Sequence, residues 1–222
     1  MSVRLERKMT RCSAAGSGRP RGLPSPPVFA SAFSLLELLI VVALILLLTT
    51  LMWGSRSPSR QRVQREACHR NLERLSVALS IFANDHAGAF PLNTAARTSE
   101  EALADLVPRY TVDTATFICP GSKDPPLPAG ESFRQRRISY AYFMGRYSTK
   151  LPAALMSDRQ VNDQPKAPNA YAFSSSGQPP GNNHGKAGGN FLFVDGHVEF
   201  SPPELAFSLG PTQGVVLLNP RP

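Results

Sequence analysis

Phe33-Ser34-Leu35-Leu36-Glu37-Leu38-Leu39-Ile40-Val41-Val42-Ala43-Leu44-Ile45-Leu46-Leu47-Leu48-Thr49-Thr50-Leu51-Met52-Trp53 is the stretch that decides how the rest of this 222-residue chain is read. It holds one charge, Glu37. At about 1.5 Å per helical residue, a helix of this length covers a hydrocarbon core of about 30 Å, so the run predicts a transmembrane helix over residues 33–54. Trp53 stands at its far end, where an aromatic interface anchor is expected.

The flanks refine that expectation. Residues 1–32 carry Arg4, Arg7, Lys8, Arg11, Arg19 and Arg21 against Glu6 alone, while the whole chain has a net charge of +8 and a pI near 9.9. A basic head directly before an apolar run is a topogenic signal, so the charge predicts no nucleic-acid partner. The same head places the N-terminus in the cytoplasm and the chain beyond the helix outside, although Arg56, Arg60, Arg62 and Arg65 lie on that outer side. A cleaved secretory signal fits less well. The run exceeds the usual ~7–15 apolar residues, and no small-residue cleavage site closes it. An ordinary signal anchor leaves Glu37 without a partner in lipid.

Beyond a break at Ser55–Ser59, which includes Pro58, the apolar period changes. Cys68, Leu72, Leu75, Leu79 and Phe82 form one stripe at helical spacing, with Arg65, Glu66, Arg70, Glu73 and Arg74 mostly on other faces. This predicts an amphipathic helix within 55–88, with Glu66 and Arg70 able to pair and Gly88 as a left-handed cap. Residues 89–222 read as a loop-rich α+β head, helped by the chain's 21 prolines and 16 glycines. Within it, Glu100–Val107 reads as a short helix ended by Pro108. Thr116–Gly121 reads as an extended segment and turn, and Ile138–Met144 as a strand. Ser174–Gly189 reads as a loop. Asn190–Phe200 reads as a hairpin turning on Asp195-Gly196.

Ala32-Phe33-Ser34-Leu35-Leu36-Glu37, with the apolar run behind it and the basic leader before it, resembles the type IV prepilin and type II secretion pseudopilin N-terminus. The resemblance implies cleavage between Ala32 and Phe33 by a prepilin peptidase and methyltransferase, removal of the 1–32 leader, and N-methylation of Phe33. It also makes Glu37 an assembly residue whose carboxylate pairs with the Phe33 amine. Ala32 departs from the glycine usual before the cut. A second resemblance rests on Cys68-x-x-Asn71-Leu72, Asp85-x-x-Gly88-x-Phe90-Pro91, Cys119-Pro120, Ser139-Tyr140, and His184 followed by Asp195-Gly196-His197. It is similar to pseudopilin-like proteins of planctomycetes and verrucomicrobia, with ten residues between His184 and Asp195 where nine is the pattern.

Together these imply a pilin-like α+β fold: a long transmembrane and amphipathic helix bearing a small head with a short antiparallel sheet. They imply a structural subunit of a type II secretion or type IV pilus-like system, in the bacterial inner membrane with a periplasmic head, or in a periplasmic pseudopilus. Other pseudopilin subunits, inner-membrane assembly components and the lipid bilayer are the implied partners. Two alternatives stay open: a membrane-anchored surface binding module that does not polymerise, and a membrane-anchored metal-dependent enzyme.

The candidate chemistry is thin. No Gly-x-Ser-x-Gly, His-Glu-x-x-His or phosphate-loop pattern occurs, so neither enzymatic activity nor a cofactor is expected. His184, Asp195 and His197 are the candidate metal ligands, since two histidines and a carboxylate hold divalent metals. The competing explanation is a turn aspartate and an exposed strand histidine. With the leader removed, Cys68 and Cys119 remain, either as a disulfide adding roughly 4 kcal/mol or as two buried thiols.

Overall fold

The computed structural model describes residues 34–53, 58–149, 152–209 and 214–222. The chain divides into two compact units, Met1–Thr49 and Thr50–Pro222. Ala32 and Phe33, the expected processing residues, lie outside the described residues.

The first helix, α1, spans Leu35–Trp53, and the Ser34 hydroxyl accepts the Leu36 N–H at its start. Among the described residues, no helix is long and apolar enough to cross a membrane. This corrects the expected transmembrane helix over 33–54 and the pilin-like plan built on it. It also corrects the placement as a single-pass inner-membrane protein with a cytoplasmic N-terminus and periplasmic head. The physical reason lies in the ends of α1. Glu37 occupies the first turn and Thr49 and Thr50 the last part, so the wholly apolar stretch is Leu38–Leu48. That stretch covers roughly 16 Å, about half of a hydrocarbon core.

The second unit is an antiparallel sheet with helical cover. Helix α2 (Pro58–Asp85) opens on Pro58, whose fixed φ suits a first helical position. Its stripe of Cys68, Leu72, Leu75 and Leu79 is fully buried, and Phe82 packs half-buried at its edge. The polar faces carry Glu66–Arg70 and His69–Glu73 pairs one turn apart. The helix ends where Ala87 and Gly88 turn left-handed and the Gly88 N–H reaches back to the Ala83 carbonyl at 2.7 Å. Helix α3 (Ser99–Leu103) is shorter than expected. It tightens into a 3-10 turn over Ala104–Leu106 before Pro108. A second 3-10 turn, Thr114–Phe117, replaces the start of the expected extended segment.

Strands β1 (Tyr140–Met144), β2 (Ala154–Asp158), β3 (Gly189–Phe193), β4 (Val198–Ser201) and β5 (Val216–Leu218) form one sheet in the order β4-β3-β2-β1-β5, antiparallel throughout. Alternate residues of a strand face opposite sides, and here both sides are covered. Tyr140, Tyr142, Met144 and Leu192 join the α2 stripe, Leu103, Leu106, Phe117 and Phe133 in the main core. Phe143, Phe191 and Phe193 face the other way onto Ala172, Phe173 and Leu205. The β3–β4 hairpin turns on Asp195-Gly196, with Gly196 left-handed, but β3 stops at Phe193 and Val194 belongs to the turn.

Candidate functional site

Four side chains distant in sequence meet beneath the α2 stripe. Cys68 comes from α2, and Cys119 from the loop after the 3-10 turn at Thr114–Phe117. Asp158 is the last residue of β2, and His184 lies in the loop that leads into β3. Their Sγ, carboxylate and ring-nitrogen atoms all lie within 4.8 Å of one another, and all four residues are buried. Asp158 is the centre. Its Oδ1 is 3.2 Å from Cys68 Sγ and accepts the Asn183 side-chain amide at 2.9 Å. Its Oδ2 is 3.2 Å from His184 Nε2, and it accepts both the backbone N–H of Asn190 (2.7 Å) and that residue's side-chain amide (3.2 Å). Cys119 Sγ lies 3.5 Å from the same Nε2 and accepts the Gly121 N–H at 3.4 Å. The Tyr140 hydroxyl meets Cys68 Sγ at 3.1 Å.

Local structure fixes these positions. The Asn183 amide also donates to the Ser139 carbonyl, which pins the His184 loop to the start of β1. Gly121 lets that loop lie close, because a Cβ there would meet the Asn183 carbonyl and sit 2.8 Å from His184 Nδ1. Gly189 is equally confined, since a Cβ would stand 2.6 Å from the Phe173 ring and 2.9 Å from Asp158 Cβ. Among the described residues, the buried His184 Nδ1 has no hydrogen-bond partner.

Burial is the largest influence on the acidity of each group. It pushes the Cys68 thiol well above its ordinary value, reinforced by the hydrogen bond with Cys119 and the charge of Asp158. At Cys119 burial also acts upward, but hydrogen bonds with Cys68 and His184 outweigh it and hold the thiol below its usual range. Burial opposes ionisation of Asp158, yet the charge and hydrogen bond of His184, with the amides of Asn190 and Asn183, keep its carboxyl below the carboxylate norm. Burial opposes the charged form of His184 too, and Asp158 overrides it, raising the imidazole to about 10.

Comparison of the chain with protein-family models, with curated proteins and with solved structures returns no match. The site is thus to be read from its own geometry.

That geometry redistributes the residues singled out in the sequence. Cys68 and Cys119 do come together, but as free thiols. His184 joins them, and Asp195 and His197 do not. Those two pair with each other on the surface, where His197 Nδ1 is 2.6 Å from Asp195 Oδ1 and the His197 ring stacks on Phe193 at 4.3 Å. The expected metal grouping of His184, Asp195 and His197 is therefore not assembled. The fourth member is Asp158, which no sequence motif marks.

The arrangement is also not a nucleophilic triad. In such a relay the cysteine and the carboxylate engage opposite ring nitrogens of the histidine. Here both converge on Nε2, and the Asp158 and His184 side chains are each 1% exposed. An open cleft of about 1030 Å³ passes outside the site, lined by Arg60 and Gln64 of α2, Lys123, Arg137 and Arg159, with His184 at its wall. Asp124 anchors one side of it through Arg159 at 3.1 Å and Arg137 at 3.7 Å.

Proposed function

We propose that this protein is a pseudopilin-like or minor-pilin-like structural subunit that assembles through α1. The observation that supports this reading is the surface of α1. Every residue from Leu35 to Thr50 is exposed, the large apolar side chains ranging from 81% at Leu35 to 41% at Val41, on a helix that is apolar around its whole circumference. A helix apolar on all sides belongs inside a larger packed body, and an apolar patch of this extent marks an interaction surface. Each Leu, Ile or Val that leaves water contributes ~1.5–3 kcal/mol, so a handful offset an association cost of about 4–15 kcal/mol.

Glu37 gives such packing a register. A carboxylate among apolar helices needs a cation, and the N-terminal amine of a processed Phe33, just upstream in the sequence, would be one. In this reading the partners are the prepilin peptidase and methyltransferase, other pseudopilin subunits and the assembly components of the secretion or pilus system. Mass spectrometry of the protein from its native cells tests the processing step. A chain beginning at N-methylated Phe33 is expected, and a chain that keeps residues 1–32 would overturn it.

A further inference from the structure

We propose that Cys68, Cys119, Asp158 and His184 form a structural site for one divalent transition metal ion, with zinc the best-matched occupant. The site is independent of assembly through α1.

Donor type and spacing carry it. Thiolate, imidazole and carboxylate are all zinc ligands, at about 2.3 Å for sulfur and about 2.0–2.2 Å for nitrogen and oxygen, and structural zinc is held by four of them in a closed tetrahedron. Around a tetrahedral ion those bond lengths place sulfur about 3.5 Å from nitrogen, and nitrogen about 3.3 Å from oxygen. The observed separations are 3.5 Å for Cys119 Sγ to His184 Nε2 and 3.2 Å for Nε2 to Asp158 Oδ2. Cys68 Sγ lies 3.2 Å from the other carboxylate oxygen, and no pair among the four ligand atoms exceeds 4.8 Å. Convergence of both Cys119 and Asp158 on one ring nitrogen is senseless for a proton relay. It is what a shared central ion requires.

The surroundings of the ligands fit as well. Metal-bound groups are held by outer hydrogen bonds that fix their orientation. Here the Tyr140 hydroxyl reaches Cys68, the Gly121 N–H reaches Cys119, and Asn183 and Asn190 hold the carboxylate. Two thiolates and one carboxylate against a dication leave one net negative charge, which these donors face. The four ligands come from α2, two loops and β2, so one ion ties the long helix to the sheet and to the loop entering β3. Binding releases the thiol protons to solvent as the ligands take up the ion.

The test uses the full-length protein purified without chelator and measured for metal by elemental analysis. About one zinc per chain is expected, and replacement by cobalt should give the visible bands of a tetrahedral, sulfur-ligated ion. Cys119→Ser and Asp158→Asn should each lower the zinc content at least tenfold. His197→Ala, in the exposed Asp195 pair, should leave it unchanged. A ligand variant that failed to fold would also lose metal, so thermal unfolding of the wild-type chain is followed with and without a chelator. A fall in Tm that added zinc restores supports the site. Wild-type protein that carries no metal, with unchanged Tm in chelator, overturns it. So does peptide mapping that finds Cys68 and Cys119 joined as a disulfide.

Discussion

Asp158 sits where a buried carboxylate has its full complement of partners: the ring of His184, two amide donors from Asn190 and one from Asn183. Asp158→Ala removes the acceptor and strands the buried His184 ring and the amide donors of Asn183 and Asn190. Loss of one member of a buried pair costs about 3–5 kcal/mol, so denaturant unfolding of this variant should shift by that amount. A shift under about 1 kcal/mol, the worth of an exposed pair, would mean that the network contributes little. Lys166 offers a pH test at the same scale. It is buried with its Nζ donating to the Asn162 and Gln164 carbonyls, and burial drives its amine down to about 8 despite the charge of Asp163. A base whose folded value lies below its unfolded value binds fewer protons folded than unfolded between the two. Its contribution to stability therefore rises as pH climbs from about 8 to about 10.5. Wild type should gain stability relative to Lys166→Met over that window, and parallel pH profiles would contradict the assignment.

At this scale the sequence is partly legible. Cys68, Cys119 and His184 all stand out by residue type and by resemblance, yet nothing local joins them. Cys68 and Asp158 are 90 residues apart and meet only because α2 packs on the sheet. Asp158 has no signal of its own, since it closes a short strand of mixed composition, Ala154-Leu155-Met156-Ser157-Asp158. His197 and Asp195 attract attention because they are close in sequence, and that closeness is the reason they satisfy each other on the surface.

Among elements, α2 and the β3–β4 hairpin are readable because their signals are local: a 3.6-residue stripe in one and Asp-Gly between β-formers in the other. Strands β2 and β5 are not. All five residues of β2 are buried, so no alternation of apolar and polar residues marks it, and β5 has only three residues. Helix α1 departs in the other direction, because the length of the whole run overstates the wholly apolar part between Glu37 and Thr49. The α2 stripe makes a quantitative prediction. Leu72 is fully buried against the sheet while Val77 on the same helix is 60% exposed. Leu72→Ala should cost about 2–5 kcal/mol of unfolding free energy, and Val77→Ala should stay within about 0.5 kcal/mol. Equal effects would show that α2 is not docked as described.

For the whole molecule, two surfaces with opposite character coexist on one chain. The unit from Thr50 onward closes both sides of its sheet with apolar side chains and locks its centre with the four-residue polar site. Helix α1 leaves its apolar side chains open. On the proposed reading, this combination of a closed body and an open apolar helix is that of an assembly unit, and Glu37 is the one charge on that helix. Photo-crosslinking from residue 42, placed in the native protein in its own cells, tests this most directly. Assembly through α1 predicts a ladder of adducts joining that helix to the same helix of further copies or sibling subunits, and loss of the ladder in Glu37→Ala with the protein level unchanged. Crosslinks that never join two such subunits, or a ladder that Glu37→Ala leaves intact, would contradict it.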